Sequence, residues 1–135
     1  MQIYKNILVT MDCSPVDDRI LEHVTLLALQ NQSNVFLLHV VHSHTLDEHR
    51  ALTRSADTFL GEKSLQLLKQ GINVKVVQRS GEPDQEILQE IQDGDYDLVA
   101  MATHGHSTFG QILFGSVSKT LKQQISIPLL LLGPK

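Results

Sequence analysis

The stretch "IYKNILVTMDCSPVDDRILEHVTLLALQNQSNVFLLHVV", residues 3–41, changes texture twice, and that change sets the class of fold. Its two ends, "IYKNILVTM" (3–11) and "NVFLLHVV" (34–41), are short, apolar and rich in residues that favour buried strands. Between them, "SPVDDRILEHVTLLALQNQ" has helical spacing. Ser14 suits a cap, Pro15 suits the first helical position, and Asp17 and Asp18 complement the positive end of a helix. Ile20, Val24, Leu27 and Ala28 then fall on one face.

The alternation continues outward from this unit. "NVKVVQRS" (73–80), "YDLVAMAT" (96–103) and "SIPLLLLG" (126–133) read as three more strands. A helix is expected from about residue 45 to 70, with Leu60, Leu65 and Leu68 spaced for burial and Gly71 as its stop. "PDQEILQEIQDG", opened by Pro83 and closed at Gly94, supplies a third helix, and "SVSKTLKQQ" a fourth. Strand and helix therefore alternate through five strands, which calls for a parallel sheet covered on both faces, a three-layer α/β sandwich. No internal repeat or low-complexity linker interrupts it, so residues 1–135 read as one domain, burying roughly 68% of its unfolded surface.

Bulk properties narrow the function. The chain has 135 residues and a formal net charge of -4, which argues against broad electrostatic binding to nucleic acid or an anionic membrane. No apolar run approaches the ~20 residues needed to span a bilayer. The opening "MQIYKNILVTMD" reads as a strand rather than a signal peptide, and the single Cys13 fits a reducing interior, so a cytoplasmic location is expected.

Parallel sheets of this kind bind ligands beyond the carboxyl ends of their strands, where the strand order reverses. Thr10, Met11 and Asp12 follow the first strand, Val40 and Val41 end the second, and Ser80-Gly81 end the third. After the fourth comes "ATHGHSTFGQILFGSVSKTL" (102–121). Its Gly110 to Ser116 spacing nearly spells a P-loop, G-x-x-x-x-G-K-[ST], but serine stands where the lysine belongs. A phosphate here would be held by main-chain amides at a helix start, which Gly105 and Gly115 let come close, and by the hydroxyls of Ser116 and Ser118. The competing reading is an ordinary turn and cap.

The whole chain resembles the universal stress protein family (UspA-like). The resemblance is carried by "NILVTMDCS", "NVFLLHVV", "GEP" after the third strand, and "THG" followed after nine residues by "GS". The family's nucleotide-binding members carry G-x2-G-x9-G-[ST]; here the pattern is Ala102-x2-Gly105-x9-Gly115-Ser116. The resemblance implies a sheet ordered 3-2-1-4-5, of the adenine nucleotide alpha hydrolase-like kind. It implies ATP, ADP or AMP bound between the ends of strands one and four, with Thr10, Met11 and Asp12 beside the nucleotide and Val40 meeting adenine through its backbone. Met101 and Ala102 would flank the ribose, and Gly105, Gly115, Ser116, Val117 and Ser118 would surround the phosphates. It also implies a homodimer formed through the last strand, whose four leucines would otherwise leave an exposed edge.

Two departures bear on this. Ala102 replaces the motif's first glycine, and its methyl is tolerated if φ is negative. His106 stands where many members carry arginine, so nucleotide affinity is expected to strengthen as pH falls from about 8 to about 6. Asp12 is read either as a partner of the sugar or of a magnesium ion bridging the phosphates, or as a cap together with Ser14. No second carboxylate or arginine finger accompanies Asp12 in the nearby motifs, so a binder without a catalytic residue is expected, not an enzyme with fast turnover. "HVVHSH" (39–44) lacks a recurring ligand spacing, so no metal site is expected there. Cys13 reads as inert packing, with a thiol of lowered pKa at a helix start as the redox-sensing alternative. The favoured function is an ATP-binding, nucleotide-dependent stress-response regulator with an unidentified protein partner. The alternative is an adaptor of the same fold with a vestigial pocket, favoured by Ala102 and the missing arginine. An adenylyl-handling enzyme would want a substrate domain for which 135 residues leave little room.

Overall fold

A computed structural model describes residues 3–102 and 117–133. Its elements follow in the order β1 (Asn6–Thr10), α1 (Val16–Asn31), β2 (Asn34–Val41), α2 (Leu46–Lys69), β3 (Val74–Ser80), α3 (Pro83–Asp93), β4 (Leu98–Ala102), α4 (Ser118–Gln124) and β5 (Leu129–Leu132). The five strands form one parallel sheet in the order β3-β2-β1-β4-β5. The expected alternation, layers and strand order are all present. The order reverses between β1, which runs beside β2 from Asn6↔Asn34 to Thr10↔Leu38, and β4, which joins β1's other side at Ile7↔Leu98.

Because side chains alternate along a strand, the central strands feed two cores. Ile7, Val9 and Met11 join Val35 and Leu37 under Ile20, Val24 and Ala28 of α1 and Ala56, Leu60 and Leu67 of α2. Leu8, Leu38 and Val40 join Val99 and Met101 under Ile87 and Leu88 of α3 and Val117 and Leu121 at the start of α4. Burial on both faces is why β1 and β2 are almost continuously apolar. The ends of the sheet differ: β5 is half-buried throughout, and β3 carries polar Lys75, Gln78 and Arg79.

The helix boundaries have local causes. Thr45 caps α2 by accepting from the Glu48 amide at 3.0 Å, and Pro83 occupies the first turn of α3. At the end of α3, a Cβ on Gly94 would stand 2.3 Å from Cε2 of Tyr96, so the close ring requires glycine.

The structure corrects some of the sequence expectations. β1, β4 and β5 are shorter than the apolar runs that announce them. Leu65 and Leu68 are exposed rather than buried, and Leu67 takes the core position. At roughly 100° per residue, Leu65 and Leu68 lie about 140° and 80° around the helix from Leu60, whereas Leu67 lies about 20° away. Leu27 is only half-buried at the margin of its core. Ser14 does not cap α1: Pro15 holds the N-cap position and makes no side-chain hydrogen bond there. Among the described residues, no helix is long and apolar enough to cross a membrane.

Candidate functional site

The carboxyl ends of β1, β2 and β3 are stitched together. The Met11 amide donates to the Leu38 carbonyl at 2.7 Å, and Nδ1 of His39 lies 2.8 Å from the Met11 carbonyl oxygen. A carbonyl only accepts, so Nδ1 carries the proton. Burial holds the pKa of His39 below the ordinary histidine value, which keeps the ring neutral. One strand further out, the Gly81 amide donates to the Val41 carbonyl at 3.1 Å, and Nδ1 of His42 lies 3.2 Å from the Gly81 carbonyl oxygen.

The turn from β1 into α1 is built around Asp17. Its two carboxylate oxygens accept from the amides of Asp12 at 2.9 Å and Cys13 at 2.7 Å, while its own amide donates to the Ser14 carbonyl at 3.0 Å. Two successive amides thus point at one carboxylate, and immediately after them Cys13 adopts φ 60°, the left-handed region that a residue with a Cβ rarely enters. The hydroxyl of Ser14 donates to the Asp12 carboxylate. Ser14 therefore braces Asp12 instead of capping the helix.

The electrostatics follow from this crowding. Asp17 is 1% exposed. Burial pushes its pKa up to about 7 and the charge of Asp12 adds to the rise, although the amides that it accepts from pull the other way. Burial likewise pushes the Cys13 thiol up to about 12, with the Asp17 and Asp12 charges adding. A thiol in that state is protonated at neutral pH, so the redox-sensing alternative loses its premise and the packing reading of Cys13 stands. The expectation that no second carboxylate accompanies Asp12 is also corrected. Asp17 is there, five residues on, committed to main-chain amides.

A cleft of about 230 Å³ opens over the ends of β1 and β2, lined by Asp12, Cys13, His39, Val40, Val41, His42 and, from α2, Leu52, Ser55 and Ala56. This lies below the roughly 300–1,000 Å³ of sites that enclose a whole small molecule. It has room for one flat end of a ligand. On the opposite face of β1, the side shared with Leu8, Thr10 is 4% exposed and its Oγ1 has no hydrogen-bond partner among the described residues. A buried hydroxyl without a partner marks a place where a bonding group is wanted.

Of the expected site residues, Thr10, Met11, Asp12 and Val40 converge at the ends of β1 and β2. Met101 and Ala102 end the neighbouring β4. The side chains of Met11, Met101 and Val117 are core, between 0% and 1% exposed, so only their main chains can face a ligand. Ser118, buried, opens α4. Gly105, His106, Gly115 and Ser116 lie outside the described residues. Among those described, no group of three or more metal-ligating side chains is close enough to hold an ion. Sequence reasoning missed Asp17 as the acid of the turn and α2 as a wall of the cleft. A signal for the wall exists: Leu52, Ala56 and Leu60 are spaced i, i+4, i+8, and Leu52 is 39% exposed where the stripe runs past the core.

Comparison with known proteins agrees with this architecture. The model of the Universal stress protein family matches residues 3–133. Universal stress protein MJ0577 of Methanocaldococcus jannaschii is 25% identical, across 98% of this chain and 97% of its own. The solved structure of MJ0577 superposes with a TM-score of 0.83 and 28% identity, covering 98% of each chain. The universal stress protein of Archaeoglobus fulgidus, solved in complex with dAMP, superposes with a TM-score of 0.72 and 21% identity, covering 96% of this chain and 98% of that one.

Proposed function

The chain belongs to the universal stress protein family, and from that premise we propose that it binds an adenine nucleotide across the carboxyl ends of β1, β2 and β4 and acts as a nucleotide-dependent stress-response regulator. The observation that carries the reading is the cleft over β1 and β2, open and sized for one end of a ligand. The structure of a relative with dAMP supports the choice of base.

The adenine occupies that cleft, bonded to the main chain of Val40, with Leu52 and Ala56 as its apolar wall. Asp12 meets the sugar or a magnesium ion on the phosphates. Met101 and Ala102 flank the ribose through their main chain. The phosphates pass the Thr10 hydroxyl, which has no partner among the described residues, toward Gly105, His106, Gly115, Ser116, Val117 and Ser118. ATP, ADP and AMP share this adenylyl chemistry. Asp17 is tied to the Asp12 and Cys13 amides and is no general base, so the protein is a binder rather than an enzyme. It works in the cytoplasm as a homodimer joined along β5, which among the described residues is hydrogen-bonded on one side only, to β4, and it signals through a protein partner.

Purified protein tests the reading directly. Acid release followed by anion-exchange chromatography is expected to yield an adenine nucleotide, and calorimetry with ATP, ADP and AMP should show saturable binding. Protein that carries none and stays unsaturated at millimolar nucleotide would leave the adaptor reading. The same preparation should elute as a dimer on a sizing column, and Leu130→Lys as a folded monomer; an unchanged dimer peak places the contact elsewhere.

A further inference from the structure

We infer that Asp17 is a positioning residue for the nucleotide cleft: its buried carboxylate clamps the Asp12–Cys13 turn in the shape that makes those two residues part of the cleft wall. The inference rests on the nucleotide reading above and adds to it a residue that does not line the cleft.

The turn is not one that its sequence favours. Cys13 sits at φ 60°, where its Cβ crowds the following carbonyl. Just ahead of that strained residue the amides of Asp12 and Cys13 form a concavity of two successive donors, a nest that suits an anion. Asp17, in the first turn of α1, fills it, with contacts of 2.9 Å and 2.7 Å. The carboxylate is 1% exposed, and among the described residues no cation pairs with it. Burial raises its pKa, so holding the charge works against stability at neutral pH. A buried charge of that kind, bonded to the two residues that begin the cleft lining, is spent on geometry rather than on cohesion.

Two consequences follow. Asp12, braced by Ser14 and anchored through its own amide, has a set position against the ligand. The nest at the start of α1 is already filled by the protein's own carboxyl group, so the Asp12 and Cys13 amides are engaged by Asp17 rather than by a nucleotide's phosphates.

The test is a double-mutant cycle. Asp17→Asn keeps one acceptor and loses the charge, and should weaken ATP binding about tenfold. Glycine adopts a positive φ without cost, so in the Cys13→Gly background the same substitution should weaken binding less than about threefold. A residue that supported only global stability would show equal losses in both backgrounds, and that result, or wild-type affinity in Asp17→Asn, overturns the inference. If Asp17→Asn does not fold, Asp17→Ser is read by the same two criteria. Amide hydrogen exchange by NMR separates this from the nucleotide reading. If the wild type binds no adenine nucleotide, the function proposed above fails, and the clamp is judged by exchange alone. Protection of the Asp12 and Cys13 amides that is lost in Asp17→Asn upholds it; unchanged protection sinks it.

Discussion

Two carboxylate networks, one after the central strand β1 and one along the edge strand β3, are built on opposite principles. At the end of β1, Asp17 is buried and answered by main-chain amides. Along β3, Arg79 reaches Glu86 and Glu90 at 3.0 Å each and Asp93 at 3.9 Å, with a quarter of its side chain exposed. Glu90 also accepts from the Tyr96 hydroxyl at 2.7 Å, and the Tyr96 ring meets Phe36 edge to face at 5.1 Å. The hydrogen bonds to Glu86 and Glu90 raise the pKa of Arg79 further above its already high ordinary value. The same chemical group thus holds α3 to a sheet edge in one place and shapes a turn against its own hydration in the other. Cohesion is gathered where charges find counter-charges near water. Cost is accepted where a ligand would bind.

That contrast can be broken first by pH. Burial raises the pKa of Asp17 from 3.8 unfolded to about 7 folded, so between those values the native state holds a proton that the unfolded chain has released. The stability linked to Asp17 is fully present below pH 3.8 and is lost as pH rises toward 7, by at most about 4 kcal/mol. Urea titrations of wild type and Asp17→Asn across pH 4–8 should converge on this difference in slope. Parallel curves would mean that the amides hold Asp17 ionised throughout.

The Arg79 network should respond less and in another manner. Arg79→Ala is expected to cost about 1–2 kcal/mol, since several charge-assisted bonds act together. The loss should shrink in 1 M salt, where exposed charges are screened; a loss insensitive to salt would show packing of the arginine stem instead. Smallest is Tyr96→Phe, about 0.5–1 kcal/mol for one hydrogen bond to Glu90, read by thermal denaturation. A loss as large as that of Arg79→Ala would make Tyr96, not the arginine, the centre of the network.

Much of the fold was legible because its causes are local. Runs such as Val35 to Val41 declare a strand buried on both sides, and Pro83 and Gly94 bracket α3 by what they do to their own backbone. The resemblance carried by Gly105, Gly115 and Ser116 led to the family. The site was legible only in outline. Thr10, Asp12 and Val40 stand at strand ends, which a β-α-β pattern announces, whereas Leu52 and Ala56 reach the cleft from a helix that the motif does not include.

The amino-acid sequence by itself determined the alternation of strand and helix seen among the described residues, because residue spacing and backbone preference act within a few positions of where they are written. Only the tertiary structure decided that Leu67 rather than Leu65 or Leu68 enters the core, that Ser14 braces Asp12 instead of capping α1, and that Asp17 is the anion inside the β1–α1 turn. Each of these depends on which groups meet after the chain has folded back on itself, and an unpaired amide or an exposed methylene acquires its energy only in that company.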